Sequence, residues 1–207
     1  YLEIMTPAIK KYNGFIDKYI GDAVMALFPT SAEDAVLAAV EMKKQLAVYN
    51  SDEPTSGKEP VNMGVGIHIG QLVLGTIGRE LRMETTVISD TVNASARLEN
   101  LNKTYKTNVL ISGAVRDELS PDIQSFCRLI DRTQVKGKEE FFDVYEVYLT
   151  DDEALAEAKS KSKKVLTSIV DSYYLGDIKA AKKRLGELED DTKKDTVISF
   201  WKNRLKT

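Results

Sequence analysis

A chain of 207 residues with 43% hydrophobic and 29% charged side chains has ordinary globular composition, enough for one core of moderate size plus an appendage. Its net charge of −3 argues against a chain-wide basic surface for nucleic acid, while leaving room for a local basic site that takes a phosphate-bearing small molecule. One cysteine, Cys127, and one histidine, His68, exclude a disulfide framework and a multi-histidine metal cluster, which makes a reducing, cytoplasmic setting the default; no apolar run approaches the ~18–20 residues of a membrane span.

The chain opens without methionine in a helical pattern, Leu2, Met5, Ile9 and Tyr12, and therefore reads as a piece of a longer protein. Asn13-Gly14 ends that helix. Phe15–Ile20 and Ala23–Phe28 are short apolar strands around Gly21-Asp22, a tight hairpin with Asp22 at its tip. Asp34–Tyr49 is an amphipathic helix, followed by a polar loop at Asn50–Pro60. From Val61 to Gly70 a strand alternates apolar residues with a face of Gly64, Gly66 and Gly70, where another backbone comes close, from a helix, a ligand or a second subunit. Gln71–Ile77 is a strand and Gly78–Glu84 a polar turn. Thr85–Ile88 then leads into Ser89-Asp90, caps for a helix from Thr91 to Asn102. Asn108–Ser112 is a strand, Gly113–Leu119 a short helix, and Phe126–Asp131 a strand. A basic loop, Val135-Lys136-Gly137-Lys138, precedes the last strand, Phe141–Tyr148. Alternating strands and helices with hairpins among them predict an α+β sandwich with helices on a mostly antiparallel sheet.

After Thr150 the strand signal stops. Helices are predicted around Ala154–Tyr174, Ile178–Leu188 and Thr192–Arg204, a separate helical appendage over residues 151–207 that packs on the domain or on a protein partner. The string Tyr173-Tyr174-Leu175-Gly176-Asp177-Ile178, with Ala181 and Leu185, resembles part of a tetratricopeptide repeat, although one unit is too short for a solenoid. Lys159, Lys161, Lys163 and Lys164 read as a solvated helix face. Cys127, among Phe126, Leu129 and Ile130, reads as buried and inert, and His68 as structural.

Four features carry chemistry. Asp22, presented by a hairpin between apolar strands, suits Mg²⁺ beside a phosphate, although Gly-Asp is also good turn chemistry. Asn93 and Arg97 stand four apart on one helix face, where an arginine beside an amide can bind phosphoryl oxygens, or simply pair with a carboxylate. Lys136 and Lys138 flank a glycine, so that backbone amide and ammonium can approach a polyphosphate together. Lys18 shares a strand face with Ile16 and Ile20; it can donate to a purine ring or extend to solvent.

These features match one family in order and spacing. Gly14-Phe15-Ile16-Asp17-Lys18-Tyr19-Ile20-Gly21-Asp22-Ala23-Val24-Met25-Ala26-Leu27-Phe28-Pro29 resembles the metal-binding hairpin of class III adenylate and guanylate cyclases. Val65–Gly70 resembles their central strand, Thr86–Glu99 their substrate and transition-state segment, and Val135–Lys138 their triphosphate loop. The resemblance runs from residue 1 to about 148. It implies a ferredoxin-like cyclase sandwich, residues 1–150, that dimerises head to tail with sites between subunits. It also implies Asp22 as a ligand of two Mg²⁺ (or Mn²⁺) ions, Lys18 and Thr86 reading adenine, and Asn93 orienting the ribose. Arg97 would stabilise the α-phosphate, and Lys136, with Lys138, would hold the β- and γ-phosphates of ATP. Lysine argues against GTP, because guanylate forms carry glutamate and cysteine at the specificity positions. The family's other metal aspartate lies on a strand upstream of Tyr1, so the 207-residue piece alone is expected to be inactive. The alternatives are a non-catalytic dimerising or nucleotide-binding module, and an adaptor acting through its helical tail.

Overall fold

The computed structural model describes residues 2–52, 60–72, 74–77, 84–87, 90–134, 141–188 and 194–206. The first helix, α1 (Leu2–Lys11), buries Met5, Ala8 and Ile9. Asn13 closes it in the left-handed region, φ 59°, and the Gly14 amide donates back to the Ile9 carbonyl at 2.9 Å. Strands β1 (Phe15–Ile20) and β2 (Ala23–Leu27) then pair as the expected hairpin. Helix α2 (Ala32–Asp52) starts where the Ser31 hydroxyl accepts the Glu33 amide at 3.0 Å, and it packs on α1.

The alternating stretch from Val61 yields a strand of only three residues, β3 (Val65–Ile67). The reason lies in side chains of α2. Asn50 on α2 takes both backbone groups of Val61, accepting its amide at 3.0 Å and donating to its carbonyl at 2.9 Å. Lys43 takes the Met63 carbonyl at 3.2 Å. Side chains thus satisfy groups that a longer ladder would have used.

A second hairpin, β4 (Leu74–Ile77) with β5 (Glu84–Val87), leads to helix α3 (Asp90–Tyr105). Strand β6 (Val109–Ser112) is followed by two short helices, α4 (Gly113–Asp117) and α5 (Pro121–Ser125), the second unforeseen in the sequence. Strands β7 (Cys127–Gln134) and β8 (Phe141–Val147) complete a sheet of order β3-β6-β8-β7, parallel between β3 and β6 and antiparallel elsewhere. This is the expected α+β architecture.

Beyond it stand α6 (Glu153–Tyr174), α7 (Ile178–Leu185) and α8 (Thr196–Arg204), each opened by an aspartate, Asp152, Asp177 and Asp195, whose carboxylate accepts first-turn amides. None of the described helices is long and apolar enough to cross a membrane.

The pleat of β6 divides the core. Val109 and Ile111 face α2, with Val36, Ala39, Val115, Leu119, Cys127 and Val147. Leu110 faces the other way, into a cluster with Leu98 and Tyr105 of α3 and Ile130 of β7. Leu166 and Ile169 of α6, Ala181 of α7 and Trp201 of α8 belong to that same cluster. The tail helices therefore share one apolar core with the sheet and α3.

A buried ionic network crosses the same seam. Arg128 of β7, fully buried, donates to Glu146 of β8 at 2.7 Å and, through both terminal nitrogens, to Asp195 at 2.5 and 2.9 Å. Burial works against the arginine's charge, but Glu146 and Asp195 more than offset it and raise its pKa. Lys159 of α6 joins Glu146 at 2.6 Å and Asp151 at 2.5 Å. Lys159 is thus buried, against the expectation of a solvated lysine face; Lys161, exposed and paired with Glu157 at 2.9 Å, fits it.

Candidate active site

Helix α3 turns Ala94, Leu98, Asn102 and Tyr105 inward, at spacings of four, four and three. That stripe lies on the glycine face of β3. A Cβ at Gly66 would run into the Ser95 carbonyl and the Glu99 amide, and one at Gly64 would stand 3.0 Å from Asn102 Cβ. The backbone approaching the glycines is therefore a helix of the same chain. Asn102 pins the contact by donating to the Val65 carbonyl at 3.0 Å and accepting from Thr107 at 2.9 Å. With one face fixed, helical geometry places Asn93 and Arg97 together on one flank of the helix, and both are exposed. Arg97 makes one weak contact, Nε to Thr133 Oγ1 at 3.4 Å, and no ion pair among the described residues.

On the first hairpin, Ile20 pairs with Ala23, so Gly21 and Asp22 form a two-residue turn. Gly21 takes φ +63°, which an L-residue adopts only with strain, and Asp22 is exposed at the tip. Lys18 departs from the sequence reading. The register passes from Ile16 opposite Ala26 to Lys18 opposite Met25, a bulge at Asp17 that breaks the shared face of Ile16 and Lys18. The bulge brings two consecutive side chains together, Lys18 Nζ lying 3.5 Å from Asp17 Oδ2. That oxygen is buried with no hydrogen-bond partner among the described residues. The apolar alternation around Lys18 hid this irregularity.

Thr86 lies on β5, opposite Gly75. Lys136 and Lys138 fall outside the described residues. The candidates therefore stand on two hairpins and one helix face, Lys18 and Asp22 on the first hairpin, Thr86 on the second, Asn93 and Arg97 on α3. Sequence reasoning missed Thr133, whose proximity to Arg97 depends on a strand 36 residues away.

Two smaller expectations concern the core. His68 Nδ1 meets Ser112 Oγ at 2.8 Å, and that hydroxyl also caps α4, a structural setting. Burial pushes the Cys127 thiol up to about 11, leaving it unreactive near neutrality.

No group of three or more His, Cys, Asp or Glu side chains is placed to hold an ion among the described residues. Asp22 is a single exposed carboxylate on rigid backbone. This fits a Mg²⁺-type ion, which commonly takes one or two carboxylates and fills its remaining positions with substrate phosphates and water.

Residues 7–149 match the family model of the adenylate and guanylate cyclase catalytic domain. An adenylate cyclase of Anabaena cylindrica is 43% identical over 153 residues, 71% of this chain and 30% of that protein. The terminal-differentiation-specific adenylate cyclase of Dictyostelium discoideum is 41% identical over 155 residues, 71% of this chain and 7% of that protein. Among solved structures, the guanylyl cyclase Cya2 superposes with a TM-score of 0.61 at 30% identity, covering 74% of this chain and 79% of that one. The chain thus spans less than a third of either curated relative. It belongs to the adenylate and guanylate cyclase catalytic domain family.

Proposed function

We propose that the domain converts ATP to 3′,5′-cyclic AMP and pyrophosphate. The observation that carries this reading is the exposed pair Asn93 and Arg97 on one flank of α3, with no carboxylate pairing Arg97 among the described residues. An arginine left unpaired on a helix anchored by its other face is suited to charge that develops during reaction.

In the reaction, the ribose 3′-oxygen attacks the α-phosphorus in line as the bond to the β-phosphate oxygen breaks. Pyrophosphate departs and the 3′-hydroxyl proton is lost. Arg97 stabilises the charge gathering on the α-phosphoryl oxygens, and Asn93, one turn away, orients the ribose. Lys18 donates to the adenine ring nitrogen, and Thr86 accepts from the amino group. Lys136 and Lys138 hold the β- and γ-phosphates. Divalent ions, two per site and held in part by Asp22, would neutralise the triphosphate and acidify the 3′-hydroxyl.

The site is completed by a second copy of the chain. Phe15, Tyr19 and Ile20 are 45%, 52% and 58% exposed on the Asp22 hairpin, which supports a partner surface there. The same reading makes the domain cytoplasmic, where ATP is available.

The test is the cyclic product formed by the protein at its natural length from ATP and from GTP, measured by mass spectrometry. Cyclic AMP should dominate, and the pair Lys18→Glu with Thr86→Cys should shift preference toward GTP. Comparable kcat/KM for both nucleotides in the unaltered protein would overturn the assignment.

A further inference from the structure

The direction of the Arg97 guanidinium depends on what stands behind it, and that is the C-terminal end of β7. Thr133, 7% exposed, accepts from Arg97 Nε at 3.4 Å. The three residues before it are held by the tail. The register of β7 on β8 skips between Leu129 and Asp131, and the Ile130 carbonyl at that irregularity accepts the Trp201 indole N–H of α8 at 2.8 Å. The buried Asp131 carboxylate accepts from Tyr105 at 2.5 Å, Arg204 of α8 at 2.7 Å and Tyr174 of α6 at 2.8 Å. The Tyr174 hydroxyl also lies 2.6 Å from the Arg132 carbonyl, so its one proton is shared between two neighbouring acceptors. Arg132 itself spans Asp143 of β8 at 2.8 Å and Asp171 of α6 at 2.7 Å.

Tyr174, Asp171, Trp201 and Arg204 all lie outside residues 7–149, the stretch that matches the cyclase family. They grip a strand segment whose next residue touches the arginine assigned to the transition state. A carboxylate with three side-chain donors, and the Arg132 amide at 2.8 Å besides, is expensive to disturb, so residues 130–132 have little freedom to shift. Small displacements of a charge-stabilising group cost rate steeply, so a fixed backing strand has a direct kinetic meaning.

We propose that the C-terminal helices are a positioning element of the cyclase site: α6 and α8 fix residues 130–132 of β7, and Thr133 then holds the Arg97 guanidinium on its line of approach. This rests on the cyclase reading above. Tyr174 and Thr133 act through Arg97 and touch no substrate.

The experiment uses the protein at its natural length, with Tyr174→Phe, Thr133→Val and both together, in steady-state kinetics with ATP. Phenylalanine keeps the ring packing against Tyr173 and Phe141, 5.4 Å away in each case, so the fold survives the loss of the hydroxyl. Each single change should lower kcat about two- to threefold with KM little altered, the low end for one hydrogen bond, as the 3.4 Å contact of Arg97 with Thr133 implies. Because both cut one path, the double variant should fall about as far as the worse single, not by the product. Thr133→Ser, which keeps the acceptor, should restore kcat. Losses that multiply in the double variant, or wild-type kcat in Tyr174→Phe beside a deficient Thr133→Val, would overturn the coupling while leaving the cyclase reading intact. A wild-type protein that forms no cyclic nucleotide would overturn that reading, and this proposal with it.

Discussion

Asp195→Ala is the sharpest probe of the seam between tail and sheet. The carboxylate opens α8, accepting the Val197 and Ile198 amides at 3.1 and 3.4 Å, and neutralises a fully buried Arg128 through two short bonds. Loss of an N-cap costs about 1 kcal/mol, and removing one partner of a buried ion pair costs about 3–5 kcal/mol. One carboxylate serves both roles and Glu146 stays on Arg128 at 2.7 Å, so the low end of the ion-pair term applies and a total of at most about 4 kcal/mol is expected. With an m-value of about 2 kcal/mol/M, the urea midpoint should fall by up to about 2 M. The protein supplies its own reporter. Trp201, the single tryptophan, is fully buried at the seam and bonded to Ile130. Its fluorescence should lose the native signal together with far-UV circular dichroism, because one core joins α6, α8 and the sheet. Replacing the pair by Arg128→Met with Asp195→Leu should recover much of the loss. A midpoint shift below about 0.5 M for Asp195→Ala, or a tryptophan transition well ahead of the dichroism, would refute the reasoning.

Gly66→Ala should destabilise the chain by about 1–3 kcal/mol, read from the urea midpoint, since a methyl group there meets α3 backbone and not a yielding side chain. At alkaline pH the tail should loosen. Burial first, then the Asp131 charge, push the Tyr174 phenol up to about 12, so its contribution is complete below pH 10 and lost as pH rises through that value. Trp201 fluorescence against pH measures this, and Tyr174→Phe should remove part of the transition. At the acid end, burial raises the Asp195 pKa, but the hydrogen bonds and charge of Arg128 outweigh it and hold the carboxyl below its usual range. The pair's stabilisation is thus present above about pH 4 and lost as pH falls through the lowered value, which acid titration of the same fluorescence should show.

Much of this was legible in the residues because short-range chemistry fixed it. Gly21-Asp22 between apolar runs gave the hairpin and its exposed tip, and the four-residue spacing of Asn93 and Arg97 gave a common helix face. The glycine alternation at Gly64 and Gly66 marked a close backbone approach, which the structure assigns to α3. What stayed hidden depends on long-range partners. Asn50 shortens the strand that began at Val61 by taking that residue's backbone, a contact with no local signature. Lys159 looked like its neighbours Lys161 and Lys164 because its partners, Glu146 and Asp151, lie outside the helix. The bulge at Asp17 was masked by regular apolar alternation, and Thr133 has no motif of its own.

The central claim is that Arg97 stabilises the transition state of ATP cyclisation, and Arg97→Ala in the protein at its natural length tests it most directly. In that variant, kcat for cyclic AMP formation should fall by about 10²–10³, with KM for ATP changed far less. A matching loss of ATP affinity with kcat intact would contradict it.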